Sequence, residues 1–332
     1  MNYTVTLTPL EPFFFGGERT FGRLGDEQNG SYLAHSEYFP SQTALLGMLR
    51  KELMIQAGLL TRKIRGEWVD KADKAEAAKL VGNEKFDFSR SDTQDFGVIE
   101  EIGPVHLLDE LGNRYLWRAD IDSFKIAESN GFFKLDGYKP KDCDLFGTLI
   151  RCDDRKQRCS MSDVFQSVET VGIQKHEEED AFFKRQAFRL KKGWSFAFDL
   201  KLRDTKLAPS IVTLGADGGR FRLGLKEDLA PIEEILDLPE GWTLLLGDAK
   251  IDEPIEALCD FAVVRAKSHR MLVNKKGVLK KYATRFQKSP TVRLYGQGTM
   301  LYRPKEEALI EALNLPNLKT IGYNQFIQGA NA

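Results

Sequence analysis

Ser195-Phe196-Ala197-Phe198-Asp199-Leu200-Lys201-Leu202 places an apolar residue at every second position over eight residues. Successive side chains on a strand point to opposite faces, so this run must bury one face of a sheet and leave the other freer. Tyr3 to Thr8 repeats the pattern, with Pro9 closing it. Ile211 to Leu225 reads as strand, glycine loop, strand. Further strands are expected at Glu169–Ile173, Ala181–Leu190, Thr243–Leu246, Ala262–Arg265 and Val292–Tyr295, with short ones across Gly97–Arg118. A parallel sheet would need a helix between most of these. Helical periodicity is sparse. Ser41 is a plausible N-cap for a helix whose face carries Ala44, Leu45, Met48, Leu49, Leu53 and Ile55, with Gly58 as its stop. Asp70–Leu80 fits a short solvated helix, Pro231–Leu238 a short one, and Lys305–Leu313 an amphipathic one.

This pattern predicts an α+β chain with antiparallel sheets. At 332 residues it has room for two domains. Two tandem ferredoxin-like (RRM-like) units with long loop insertions suit it, at residues 1–192 and 193–332. The first would carry an insertion at about 60–160, with Asp136–Ser160 a polar connection or projecting loop; the second would carry the glycine-rich loop.

Net charge is −1, which excludes a globally basic nucleic-acid sponge but not a local basic face. Charge is segregated along the chain. Arg265 to Arg293 holds ten Lys and Arg and no acid, with Tyr282 and Phe286 interleaved. Glu227 to Asp260 holds eleven acids against Lys250 alone, and Lys184 to Lys206 holds eight basic residues against two acids. Mutual repulsion within the first tract would be relieved by a polyanion, and basic residues interleaved with aromatics suit backbone tracking with base stacking. The competing reading is a solvated tract neutralised by the acidic stretch folding against it.

Catalytic signatures are few. There is no H-E-x-x-H, no G-x-S-x-G and no phosphate-loop motif. His35, close in sequence to Arg50 and Lys51, is the sharpest candidate for a general base cutting RNA through its 2′-hydroxyl. His176 opens an acidic run that would keep it solvated. Cys143, Cys152, Cys159 and Cys259 form no C-x-x-C pair, so reduced thiols are expected and no metal or cofactor is implied. No stretch approaches 18 apolar residues and no secretory signal opens the sequence, so a cytoplasmic protein off the membrane is expected.

The glycines carry the most specific signal. Leu214-Gly215-Ala216-Asp217-Gly218-Gly219-Arg220-Phe221 combines exposed backbone donors with a guanidinium fork. By itself a hairpin turn explains it equally well. It stands in a series with Leu10-Glu11-Pro12-Phe13-Phe14-Phe15-Gly16-Gly17-Glu18-Arg19-Thr20-Phe21-Gly22, the segment Tyr38 to Arg50, Val171-Gly172-Ile173, Phe183 to Leu190, and Gly322-Tyr323-Asn324-Gln325-Phe326-Ile327. The series resembles the RAMP superfamily of CRISPR effector proteins, and within it the third Cmr subunit of type III-B complexes; type III-A counterparts are built similarly. The 61–160 stretch contributes little to the likeness.

The resemblance implies tandem ferredoxin-like domains without an active site. It implies a subunit that clamps the 5′ handle of crRNA and bridges the large cyclase-type subunit to the backbone RAMP filament in antiviral defence, meeting target RNA only indirectly. Carried over by charge and position, it points to Arg19, Gln42, Arg50 and Lys51 around the first helix. Lys184, Arg185 and Arg189 extend that basic surface, and Gly215, Gly218, Gly219 and Arg220 form the second-domain loop. Lys275, Lys276, Lys280 and Lys281 represent the basic tract. Asp217 would repel phosphate, which leaves open that the loop packs on protein. A repeat-processing endoribonuclease using His35 and a protein-only scaffold are the competing functions.

Overall fold

The computed structural model describes residues 1–16, 33–60, 63–64, 67–68, 70–173, 182–215, 218–226, 230–274 and 286–329. The elements that build the site begin with β1 (Asn2–Pro9), β2 (Phe15–Gly16), β3 (Leu33–Glu37), α1 (Gln42–Gln56) and α2 (Lys71–Val81). Then come β4 (Ile99–Ile102), β5 (His106–Leu108), β6 (Arg114–Leu116), β7 (Thr148–Arg151) and β8 (Arg158–Ser160). The pair β9 (Phe165–Ile173) and β10 (Phe182–Leu190) leads to β11 (Ser195–Leu202), β12 (Ser210–Leu214) and β13 (Gly219–Lys226). The last part holds β14 (Trp242–Leu245), β15 (Cys259–Val263), β16 (Ala266–His269), β17 (Val292–Tyr295), β18 (Met300–Pro304), α3 (Glu306–Leu313) and β19 (Phe326–Gln328).

A nine-stranded sheet dominates, in the order β8-β7-β6-β5-β11-β1-β13-β12, with β4 also on β11. Strand β1 is antiparallel to both neighbours, pairing Val5 with Phe198 and Leu7 with Phe196 on one side and Leu7 with Leu223 on the other. The alternation explains the arrangement: Val5, Leu7, Phe196, Phe198, Phe221 and Leu223 are all fully buried on one face. Each contributes about 1.5–3 kcal/mol by leaving water. Helix α1 joins the same core through Leu45, Leu49 and Leu53. Ser41 caps it by accepting from the Ala44 N–H at 3.4 Å, and Gly58 at φ +68 ends it.

A smaller four-stranded sheet runs β9-β10-β3-β2, with β10 parallel to β3 and the other pairs antiparallel. A third, also four-stranded, runs β15-β18-β14-β19 and is backed by α3 through Leu309 and Leu313. The α+β reading with antiparallel sheets holds. The nine-stranded sheet takes β11, β12 and β13 from beyond residue 193 and the rest from before it, so it spans the boundary expected between two units. Leu318, Ile321 and Tyr323 return from the C-terminal part to bury themselves in the first core.

One reading needs correction. The 136–160 stretch is not a projecting connection, because β7 and β8 extend the main sheet and Leu149, Ile150 and Cys152 are buried. Its polarity misleads because its arginines are paired: Arg151 with the nearby Asp153 at 2.6 Å, and Arg158 with Asp120, from earlier in the chain, at 2.7 Å.

Candidate nucleic-acid interface

The glycine loop closes the β12–β13 hairpin. Gly215 and Gly218 sit at φ +92 and +65, and the Gly218 N–H donates to the Gly215 carbonyl at 3.1 Å. A Cβ on Gly215 would lie 2.6 Å from the Phe14 carbonyl oxygen, so only glycine lets the loop press onto the N-terminal segment. Phe14 is half-buried there, and the Arg185 guanidinium from β10 stacks on its ring at 4.2 Å. Arg220, just past the turn, donates its backbone N–H to Glu11 Oε1 at 2.9 Å and its Nε at 3.3 Å. The side-chain and backbone hydrogen bonds from Arg220 hold the Glu11 carboxyl below the usual carboxylate range. From α1, Lys51 Nζ donates to Thr213 Oγ1 at 2.9 Å, and Thr213 lies directly across the hairpin from Arg220. Lys51, Arg185, Gly215, Gly218, Gly219 and Arg220 therefore converge, although they come from three distant parts of the sequence.

The other expected residues divide. Lys184 and Arg189 are exposed on β10, but strand alternation puts Lys184 on the face opposite Arg185 and Arg189. Gln42 is buried, its Nε2 donating to the Gly103 carbonyl at 3.2 Å, and it packs on the Gly322 backbone. Arg50 points away from Lys51, donating to the Glu84 and Asp95 carbonyls at 3.0 and 3.2 Å and stacking on Phe96. Burial holds its guanidinium below the usual arginine range. Arg19, Lys275, Lys276, Lys280 and Lys281 lie outside the described residues.

Sequence reasoning singled out neither Phe14 nor Glu11 as site members, yet these two bind the cluster together. The F-F-F run was the available signal, but only the alternation of burial separates Phe14 from the buried Phe13 and Phe15. His35 is committed to structure: its Nδ1 lies 2.5 Å from Gln186 Oε1, and Gln186 Nε2 donates to Ser167 Oγ at 2.8 Å. That chain ties β3, β10 and β9 together.

At the root of the basic tract, charges separated in sequence meet in space. Asp248, from the acidic stretch, accepts from Lys267 Nζ at 2.8 Å and from the Gln297 N–H at 2.9 Å, with Arg265 at 3.7 Å. Arg265 also lies over the Trp117 ring at 3.8 Å. Burial pushes the Asp248 carboxyl up, but Lys267 and Arg265 outweigh it and hold it below its ordinary value. Neutralisation by the acidic stretch therefore accounts for Arg265 and Lys267. Among the described residues no cluster of three or more His, Cys, Asp or Glu could hold a metal, and no helix is long and apolar enough to cross a membrane.

Comparisons with known proteins add to this geometry. One solved chain with the same fold comes from a cryo-EM structure of the type III-B Cmr-beta assembly bound to cognate target RNA. It is 14% identical, with a TM-score of 0.53, and the match covers 99% of this chain and 98% of that one. A second, from the assembly bound to cognate target RNA and AMPPnP in state 1, has the same identity and TM-score and covers 97% and 95%. The chain therefore shares the overall fold of these two solved chains. Residues 5–159, just under half of the chain, match the profile of the family described as CRISPR-associated protein (Cas_Cmr3). The likeness to that family is thus confined to the N-terminal part, while the fold of the two solved chains extends over nearly the whole length. The search of curated proteins returned no match.

Proposed function

We propose that this chain is the subunit of a type III-B CRISPR effector complex that grips the 5′ handle of crRNA and bridges the large cyclase-type subunit to the backbone subunits, without catalysis of its own. The observation that carries the reading is the convergence of Lys51, Arg185 and Arg220 around the glycine turn and the half-buried ring of Phe14. Two guanidinium groups and an ammonium supply positive charge, and the turn lets RNA backbone come close. Glu11 holds Arg220 in place while leaving its side chain 65% exposed. The commitment of His35 to Gln186 favours holding RNA over cutting it.

The test is a reconstituted complex carrying guide RNA with a photoreactive base in the handle. Crosslinks to the 10–16, 185 and 213–220 segments are expected. Lys51→Ala and Arg220→Ala should each lower the salt slope of handle binding by about 0.7–1. Crosslinks confined to other subunits, with unchanged slopes, would favour a protein-only scaffold. Metal-independent cleavage of repeat RNA that is lost in His35→Ala would favour the nuclease.

A further inference from the structure

The outward face of the main sheet continues beyond the glycine loop. Register places Ile211 of β12 opposite Arg222 of β13, Arg222 opposite Thr8 of β1, and Thr8 in line with Ser195 of β11, since Leu7 pairs with Phe196. All four belong to the face opposite the core, whose members along the same strands are Val212, Phe221, Leu7 and Phe196. Ile211, Arg222 and Thr8 are exposed and Ser195 is half-buried, so the row crosses four strands, or roughly 14 Å at the usual strand spacing. It contains no acidic residue. Ile211 is 64% exposed, so its apolar side chain is available on this face. The neighbouring row holds Thr213 and Arg220, with Lys51 reaching in from α1. Arg220 and Arg222 stand two residues apart on one strand face, roughly 6.8 Å along it.

We propose that this row is a second contact surface for single-stranded RNA, continuous with the loop cluster, in which Arg222 takes a phosphate and Ile211 offers a shelf for a base. It rests on the reading that the loop cluster holds RNA. Thr8 and Ser195 supply hydroxyl partners for the sugar–phosphate backbone, including the 2′-hydroxyl. A strand crossing the sheet from its edge would meet apolar shelf, cation and hydroxyls in that order. An open sheet surface of this kind accepts unstacked bases without reading duplex grooves.

The experiment uses the reconstituted effector complex with guide RNA carrying 4-thiouridine at successive handle positions. In the intact protein at least one position should crosslink to the peptide containing Ile211 or Arg222. Arg222→Ala should weaken handle binding roughly three- to tenfold and lower the salt slope by about 0.7–1. Arg222→Lys, which keeps the charge, should retain the slope. Ile211→Ser should reduce the crosslink yield while leaving the slope unchanged. Both positions are exposed, so unfolding midpoints and incorporation into the complex should match the parent, separating loss of contact from loss of fold. If Lys51→Ala and Arg220→Ala lower the slope but Arg222→Ala does not, the row is not an RNA surface and the loop-cluster reading stands. If none of the three lowers it, both fall. Occlusion of the row by a neighbouring subunit in RNA-free complex would also overturn the proposal.

Discussion

Arg50→Ala separates a structural guanidinium from an RNA-binding one. Arg50 reaches two backbone carbonyls from one fork: Nη1 to Glu84 at 3.0 Å in a partly buried setting, and Nη2 to Asp95 at 3.2 Å in an exposed one. Its plane also lies 5.3 Å from the Phe96 ring centre. A hydrogen bond from a charged donor contributes about 1.5–3 kcal/mol, and the exposed one belongs below that range because water replaces it readily. The stacking adds about 0.5–1 kcal/mol. The expected loss is therefore about 2–4 kcal/mol, or roughly 3–6 °C in the unfolding midpoint of a chain this size. The loop it pins, residues 82–97, is closed by the abutting backbones of Gly82 and Gly97. That loop packs Phe86 and Phe88 on Tyr323, so the damage should reach the C-terminal part. Urea unfolding of Arg50→Ala, Arg50→Lys and Lys51→Ala is the assay. A lysine ammonium cannot bridge both carbonyls, so Arg50→Lys should recover about half of the loss. Lys51→Ala should change stability by under about 0.5 kcal/mol. The reasoning is refuted if Arg50→Ala unfolds like the parent while the salt slope of RNA binding falls.

Gly215→Ala forces an L side chain into φ +92 and against the Phe14 carbonyl, and should destabilise by over about 2 kcal/mol; Gly218→Ala, at φ +65 with open space around it, should cost about 1 kcal/mol, both read from denaturant midpoints. His106 is fully buried, and desolvation first, with Arg114 second, pushes its pKa down to about 3. The unfolded chain therefore binds the extra proton first: stability is full above pH 6.5 and falls as pH drops toward 3, by about 2 kcal/mol at pH 5 from this residue. His106→Leu should flatten that decline in urea titrations between pH 7.5 and 5, and an unchanged slope would assign the acid sensitivity elsewhere. Asp248→Asn leaves Lys267 and Arg265 without their carboxylate and should cost about 3–5 kcal/mol. Adding Lys267→Met should restore part of that loss, and strict additivity in the double-mutant cycle would rule out the coupling.

The sequence by itself determined the elements whose signals are local. Alternation over Ser195–Leu202 yields a strand with those same ends, and the Val292–Tyr295 strand likewise. Asp70 caps α2 as its side chain allows, and Ser41 caps α1. These follow from side-chain periodicity and backbone hydrogen bonding within a few residues. Strand partnership is different: β1 selects β11 and β13, some 190–220 residues away, because three apolar faces are buried by one core. Nothing near any one of those strands encodes that choice. Charge behaved in the same way. Arg50 and Lys51 are neighbours with the same sign, yet a helix turns adjacent residues about 100° apart, sending one to a loop and the other to the hairpin. Composition could say that cations were available. Only packing decided which were consumed by carbonyls and carboxylates, as with Arg50, Arg265 and Lys267, and which were left facing outward beside a glycine turn.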